Sequence, residues 1–220
     1  MEEISVFNQI LASALGMGWL QWLAFIFSII YVILAAKENP FCWPVGLVGV
    51  SFAFFVYLAP EVKLYSEAIL QIFYAIMSVY GWWIWTRTKS STSEKLDSSD
   101  SSLEIHQWPL KYHLRLLLVG LVVAVLWGRF TLLMFGASLP YIDAVTTAFS
   151  LIATYMVTQK VLENWLYWIV IDVLSIFVNF HKGLYLFAIL FFIYTIVAVI
   201  GYFNWKKEMN PFNIKNQSVG

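Results

Sequence analysis

The 220-residue, 25.4 kDa chain is 61% hydrophobic and only 12% charged, with a mean hydropathy of +0.76, where a soluble domain carries about 25% charged residues. So few charges cannot cover a water-facing surface, which excludes a soluble enzyme, a secreted disulfide scaffold and a disordered chain. Thirteen basic residues balance thirteen acidic ones, so no net field draws nucleic acid, and the single Cys42 has neither a disulfide partner nor metal-ligand spacing around it.

The N-terminus, Met-Glu-Glu-Ile, has no basic region and predicts no cleaved signal peptide. Within residues 1–18, Ile4, Phe7, Ile10, Leu11 and Ala14 share one helical face, which predicts a short interfacial helix rather than a span. Seven continuous apolar runs follow, at 19–36, 41–60, 64–86, 114–135, 141–159, 165–180 and 184–205. The shortest, 165–180, extends back toward Glu163. A bilayer-crossing helix needs about 17–25 such residues, and a membrane barrel would show alternating segments instead. Between them, 87–112 is polar and Ser-rich, with Ser90-Ser91-Thr92-Ser93 and Ser98-Ser99-Asp100-Ser101-Ser102, and reads as a flexible linker or a phosphorylated one. Alternate loops divide the basic residues. Lys37, Arg87, Lys89, Lys95, Lys111, Arg115, Lys160, Lys206, Lys207 and Lys215 fall on one side, and Lys63, Arg129 and Lys182 on the other. The richer side is cytoplasmic by the positive-inside rule, which puts the N-terminus outside and the C-terminus inside.

The chain also repeats itself. Residues 63–85, KLYSEAILQIFYAIMSVYGWWIW, match 183–205, GLYLFAILFFIYTIVAVIGYFNW, at ten of 23 positions without a gap, including Gly81 with Gly201 and Trp85 with Trp205. Upstream, Glu38-Asn39 with Trp43 is set against Glu163-Asn164 with Trp168. The expected fold is therefore an all-α integral membrane protein of seven transmembrane helices. Two parallel three-helix repeats, 19–86 and 141–205, are joined by the linker 87–112 and a single transmembrane helix, 113–136, and a cytoplasmic tail spans 206–220. Parallel repeats about an axis along the membrane normal are a transporter design, with substrate held between the halves.

Three spans carry a polar stripe. In span six, Trp165, Trp168, Asp172, Ser175 and Asn179 share one face. An ionisable residue at mid-membrane marks a site by default, although buried acids also tie helices together by hydrogen bonds. Trp165, near the span's end, suits an aromatic belt as well as a site. In span three, Glu67, Gln71, Tyr74, Ser78 and Gly81 share a face. Gln71 can both donate and accept, to a ligand or to another helix, and Glu67 reads as solvated. In span five, Asp143, Thr147, Ser150 and Thr154 line up. With the repeats aligned as above, Gln71 faces Phe191 and Asp172 corresponds to Leu47, so both break the symmetry, as contacts to an asymmetric ligand should. Tyr74 and Tyr194 recur, which favours packing for Tyr194. Trp43-Pro44 opens a span that also holds Gly46 and Gly49, suited to close packing or to bending. No catalytic or phosphate-binding motif occurs in the sequence, and nothing in it calls for a cofactor or a metal.

The run ENWLYW at 163–168, Asp172 and Lys182-Gly-Leu-Tyr, with Asn39-Pro40, Trp43-Pro44-Val45-Gly46, Leu64-Tyr65, Leu70-Gln71, Tyr74 and Gly81-Trp82, resembles the PnuC nicotinamide riboside transporters over about residues 19–205. The resemblance implies a fold like that of the sugar-transporting SWEET proteins and a homotrimer in the bacterial inner membrane. It implies facilitated uptake of nicotinamide riboside, a vitamin B3 form and NAD precursor, trapped inside by a separate kinase. Relatives in the wider family carry thiamine or riboflavin, so thiamine is the rival substrate, and an integral-membrane enzyme is the rival class. On this reading Trp165, Trp168, Asp172, Gln71, Tyr74, Trp43 and Asn179 bind the substrate, with indole faces stacking on the pyridinium and Asp172 offsetting its charge.

Overall fold

The computed structural model describes residues 6–59, 65–87, 103–135 and 139–209. Eight helices run through them: α1 (Val6–Gly16), α2 (Trp19–Ala36), α3 (Cys42–Leu58), α4 (Tyr65–Arg87), α5 (Leu110–Phe135), α6 (Pro140–Thr158), α7 (Asn164–His181) and α8 (Tyr185–Met209). Ile4, Lys63, the Ser-rich run and the tail beyond Met209 lie outside the described residues. Six helices, all but α1 and α3, are long and apolar enough to cross a membrane. The seventh expected span, α3, is apolar throughout but has 17 residues. The helix expected at 113–136 begins three residues earlier, at Leu110, directly after Pro109, and α8 runs on to Met209.

Contacts follow chain order: α2 on α3, α3 on α4, α5 on α6, α6 on α7 and α7 on α8. The first half (α2–α4) meets the second (α6–α8) where α2 packs on α8 and α4 on α6, and α1 lies against α8. Gly46 and Gly49 serve close packing. A Cβ added at Gly46 would stand 2.8 Å from the Tyr31 ring, and one at Gly49 3.1 Å from Phe27 Cβ, so α2 and α3 approach almost backbone to backbone.

At the end where α2, α4, α6 and α8 finish and α3 and α7 begin, four tryptophans form one buried cluster. Trp43, Trp85, Trp165 and Trp205 are each 2% exposed or less. Trp43 meets Trp85 edge-on at 5.3 Å and 87°, Trp165 meets Trp205 at 5.4 Å and 88°, and Trp85 lies 6.0 Å from Trp205. The bonds cross between halves: Trp85 Nε1 donates to Thr158 O at 3.1 Å and Trp205 Nε1 to Ala35 O at 3.0 Å. The glycines of the repeat seat these rings, since Trp43 lies against Gly81 and Trp165 against Gly201. A methyl at Gly201 would stand 2.8 Å from the Trp165 ring. Gly201→Ala is therefore expected to cost about 1–3 kcal/mol, as overpacking does, read as a lower melting temperature of the purified protein. An unchanged melting temperature would mean that the indole has room to shift.

These pairs correct the alignment of the upstream segments. The partner of Trp43 is Trp165, not Trp168, because each packs on the matching glycine, Gly81 or Gly201. Asp172 then matches Val50 rather than Leu47, and its break of symmetry stands. Backbone conformation agrees, for Glu38 (φ 53°) and Lys160 (φ 54°) are the two non-glycine residues with positive φ among the described residues, at the same offset as the two tryptophans. α2 and α6 end identically around them. Glu38 N donates to Ala35 O and Asn39 N to Leu34 O, Lys160 N to Val157 O and Val161 N to Met156 O, each at 3.0 Å. This is the bonding of a Schellman end, which normally seats glycine at the left-handed position. A side chain there costs about 1–2 kcal/mol.

The last part of the segment read as a flexible linker is docked. His106 N donates to Lys160 O at 3.2 Å and Leu162 N to His106 O at 2.8 Å, a single parallel bridge onto the α6–α7 loop. Ile105, 7% exposed, enters the tryptophan cluster. Trp108 N donates to Glu163 Oε2 at 3.3 Å, and His113 Nδ1 lies 3.1 Å from the Tyr167 hydroxyl.

Candidate functional site

α7 carries the central carboxylate because its polar stripe repeats at helical spacing while the opposite face is apolar. Asp172 is 2% exposed and Ser175 7%, whereas Val173 is 52% and Phe177 57% exposed. The stripe thus faces the bundle. Asp172 Oδ1 is buried and has no hydrogen-bond partner among the described residues. The interhelical tie that would make Asp172 structural is therefore not formed at this oxygen. A buried, unpartnered carboxylate oxygen is costly, and a cationic ligand beside it would offset that cost.

The surroundings of Asp172 come from both halves. Its carboxylate lies within electrostatic range of Tyr194 on α8, whose hydroxyl donates to Ser28 Oγ on α2 at 2.5 Å. Ser28 passes the bond to Phe25 O at 2.8 Å. Tyr31, one turn along α2, lies within electrostatic range of Tyr194 and of Tyr74 on α4. Tyr74 on α4, Tyr31 on α2, Tyr194 on α8 and Asp172 on α7 are thus polar groups each within electrostatic range of the next. Ser28 and Tyr31 escape sequence reasoning because span one carries no charge. Their signal was two hydroxyls three residues apart in an otherwise apolar run. Tyr194, assigned to packing, makes a hydrogen bond between the halves instead.

The other expected site residues divide. Trp168 is half-buried and packs between the tryptophan cluster and a second cluster of Phe149, Ala153 and Ile171. Trp165 and Trp43 sit inside the tryptophan cluster, and the Nε1 of each is buried without a partner among the described residues. Gln71 is half-buried on α4. Asn179 Nδ2 donates to Ser175 O of its own helix at 2.8 Å. Several stripe hydroxyls also turn back onto their helices, Ser78 to Tyr74 O and Thr154 to Ser150 O, as such residues do in apolar helices. Asp143 pairs with Lys182 at 2.8 Å at the opposite end. The side chain of Glu67 lies outside the described residues.

Comparison with known proteins agrees with this architecture. The chain is 24% identical to the nicotinamide riboside transporter PnuC of Escherichia coli, over 93% of this chain and 92% of that one. It is 28% identical to the nicotinamide riboside transporter PnuC of Neisseria mucosa, over 86% of this chain and 73% of the relative. The crystal structure of the vitamin B3 transporter PnuC superposes with a TM-score of 0.67 at 23% identity, covering 94% of this chain and 88% of that one, and so shares its fold. The family described as nicotinamide mononucleotide transporter matches residues 18–207. With helices long enough to cross a membrane several times over, the chain belongs to that family of transporters and is not an enzyme.

Proposed function

We propose that the chain carries nicotinamide riboside across the bacterial inner membrane by facilitated diffusion. The observation that carries this reading is the buried, unpartnered Asp172 Oδ1 on the inward stripe of α7, in a chain whose relatives bear the name of nicotinamide riboside transporters. The substrate is a flat pyridinium cation with a carboxamide and a ribose. Asp172 offsets the cation, Trp168 walls the pocket, Trp165 and Trp43 close its tryptophan end from within the core, and Gln71, Tyr74 and Asn179 face the polar edges.

The same reading takes α3 as the seventh span and the halves as parallel repeats about an axis along the membrane normal. The crossed tryptophan bonds and the paired helix ends support this. Lys37, Arg87, Lys160 and Lys206 all lie at the tryptophan end, which is taken as cytoplasmic, with the N-terminus outside. The assembly is taken as a homotrimer, and a separate cytoplasmic kinase traps the substrate. Thiamine, whose thiazolium is also a flat cation, suits the same carboxylate and indoles. Binding of a vitamin panel to the purified protein decides between the two, with the riboside expected to bind more tightly. In vesicles lacking a kinase, the riboside should equilibrate without accumulating. Accumulation abolished by an uncoupler or by sodium removal would overturn the passive reading.

A further inference from the structure

Two strained positions, one acidic and one basic, meet between the halves. Glu38 and Lys160 each occupy the left-handed place at a helix end where glycine is the usual residue. The Lys160 ammonium pairs with Glu38 Oε1 and stands 5.0 Å over the Trp85 ring, in a residue only 8% exposed. Neither side chain helps its own helix end, where glycine would fit with less strain. Backbone strain of this kind persists where the side chain has another task. Among the described residues, this is the one ion pair that joins the two halves.

We propose that Glu38 and Lys160 are the latch of the gate at the tryptophan end of the transport path. The inference rests on the transport reading above. In the state seen here the latch is shut, with the crossed bonds of Trp85 and Trp205 beneath it. Opening separates the α2–α3 loop from the α6–α7 loop. The second loop is the fixed one, because His106 brackets it with two backbone bonds and Trp108 N bonds Glu163. The Glu38 loop has no such backbone strap among the described residues, and only the Asn204 and Trp205 side chains hold the end of α2 beside it, at Ala36 O and Ala35 O, so Glu38 is the moving partner. The shut state also leaves Trp43 Nε1 and Trp165 Nε1 buried and unpartnered among the described residues. A state that admits water at this end satisfies both. The shut state thus carries a cost that an open one removes, as a two-state element requires.

Cys42, the single cysteine of the chain, reports on the gate. It is 0% exposed, opens α3 directly after the Glu38 loop and belongs to the same cluster. Its labelling by a small maleimide should be slow in the parent. It should be at least about tenfold faster in Glu38→Gln and in Lys160→Gln, a shift of about 1.4 kcal/mol toward the open state. The exchange of charges, Glu38→Lys with Lys160→Glu, should label at least about threefold more slowly than either single variant. Glu38→Gly separates the latch from folding, because it relieves the strained position while removing the pair. It should keep the parent melting temperature and still label fast. Parent-like labelling in the three single variants, or an exchange variant as fast as the single ones, would overturn the latch. The readout needs no substrate, whereas binding and uptake by the parent decide the transport reading, so the two fail separately.

Discussion

Asp172→Asn is expected to weaken binding of the cationic riboside about 30-fold while leaving a neutral, reduced analogue within about twofold of its parent affinity. The side chain keeps its size and loses its charge. A unit charge held about 4 Å from a cation is worth about 4 kcal/mol at an effective dielectric near 20. Part of that is spent desolvating the pair, and a net loss of about 2 kcal/mol is about 30-fold. Trp168→Ala should weaken both ligands by a similar factor, because indole stacking on a desolvated cation is worth about 2 kcal/mol and the wall serves either ring. Titration calorimetry on the purified variants measures both. If folded Asp172→Asn and Trp168→Ala bound the riboside as the parent does, the pocket would lie elsewhere.

Trp165→Ala and Trp205→Ala are expected to act on stability instead, each losing about 3–5 kcal/mol, the range for removal of a buried aromatic. The two rings meet edge-on at 5.4 Å and both are essentially buried. Trp205 Nε1 also donates to Ala35 O beside the Glu38 N–H, so its truncation removes one of the two bonds to this buried carbonyl. Trp205→Phe, which keeps one aromatic ring but loses the donor and part of the indole volume, should cost about 1–3 kcal/mol. Thermal unfolding in detergent gives the order Trp205→Ala, then Trp205→Phe, then parent. A Trp165→Ala protein with the parent melting temperature would take that ring out of the core and return it to the pocket wall.

Much of the architecture was legible because lipid leaves few solutions: long apolar runs must be helices, and the match of 63–85 to 183–205 fixed which glycines and tryptophans correspond. The upstream half of the repeat was misread. Glu-Asn-x-x-x-Trp occurs twice at nearly the right distance, and only the packing of Trp43 on Gly81 and of Trp165 on Gly201 shows the true partners. That Asp172 faces the bundle was legible from cost alone, since a carboxylate in an apolar span avoids lipid. Ser28 and Tyr31 were not, because a hydroxyl in an apolar helix is usually absorbed by its own backbone. Glu38 and Lys160 were invisible in principle. Their sign lies in backbone dihedral angles, and a sequence does not print a left-handed residue unless it is glycine. Docking of 103–109 was hidden for a similar reason, because one parallel bridge leaves no periodic trace.

The crossed indoles bear on how such a chain arises. Trp85 of the first half completes α6 of the second, and Trp205 of the second completes α2 of the first. Thr158 aligns with Ala36, one residue from Ala35, so two copies of one half, set side by side, would offer each other the same donors and neighbouring carbonyls, and a gene of half this length comes close to building that end of the molecule. It does not suffice for the ion pair. Matching positions in identical copies would set two glutamates or two lysines face to face, where like charges repel. Glu38 opposite Lys160 is an arrangement that only unlike halves can hold, and fusion into one polypeptide is what lets the two positions diverge.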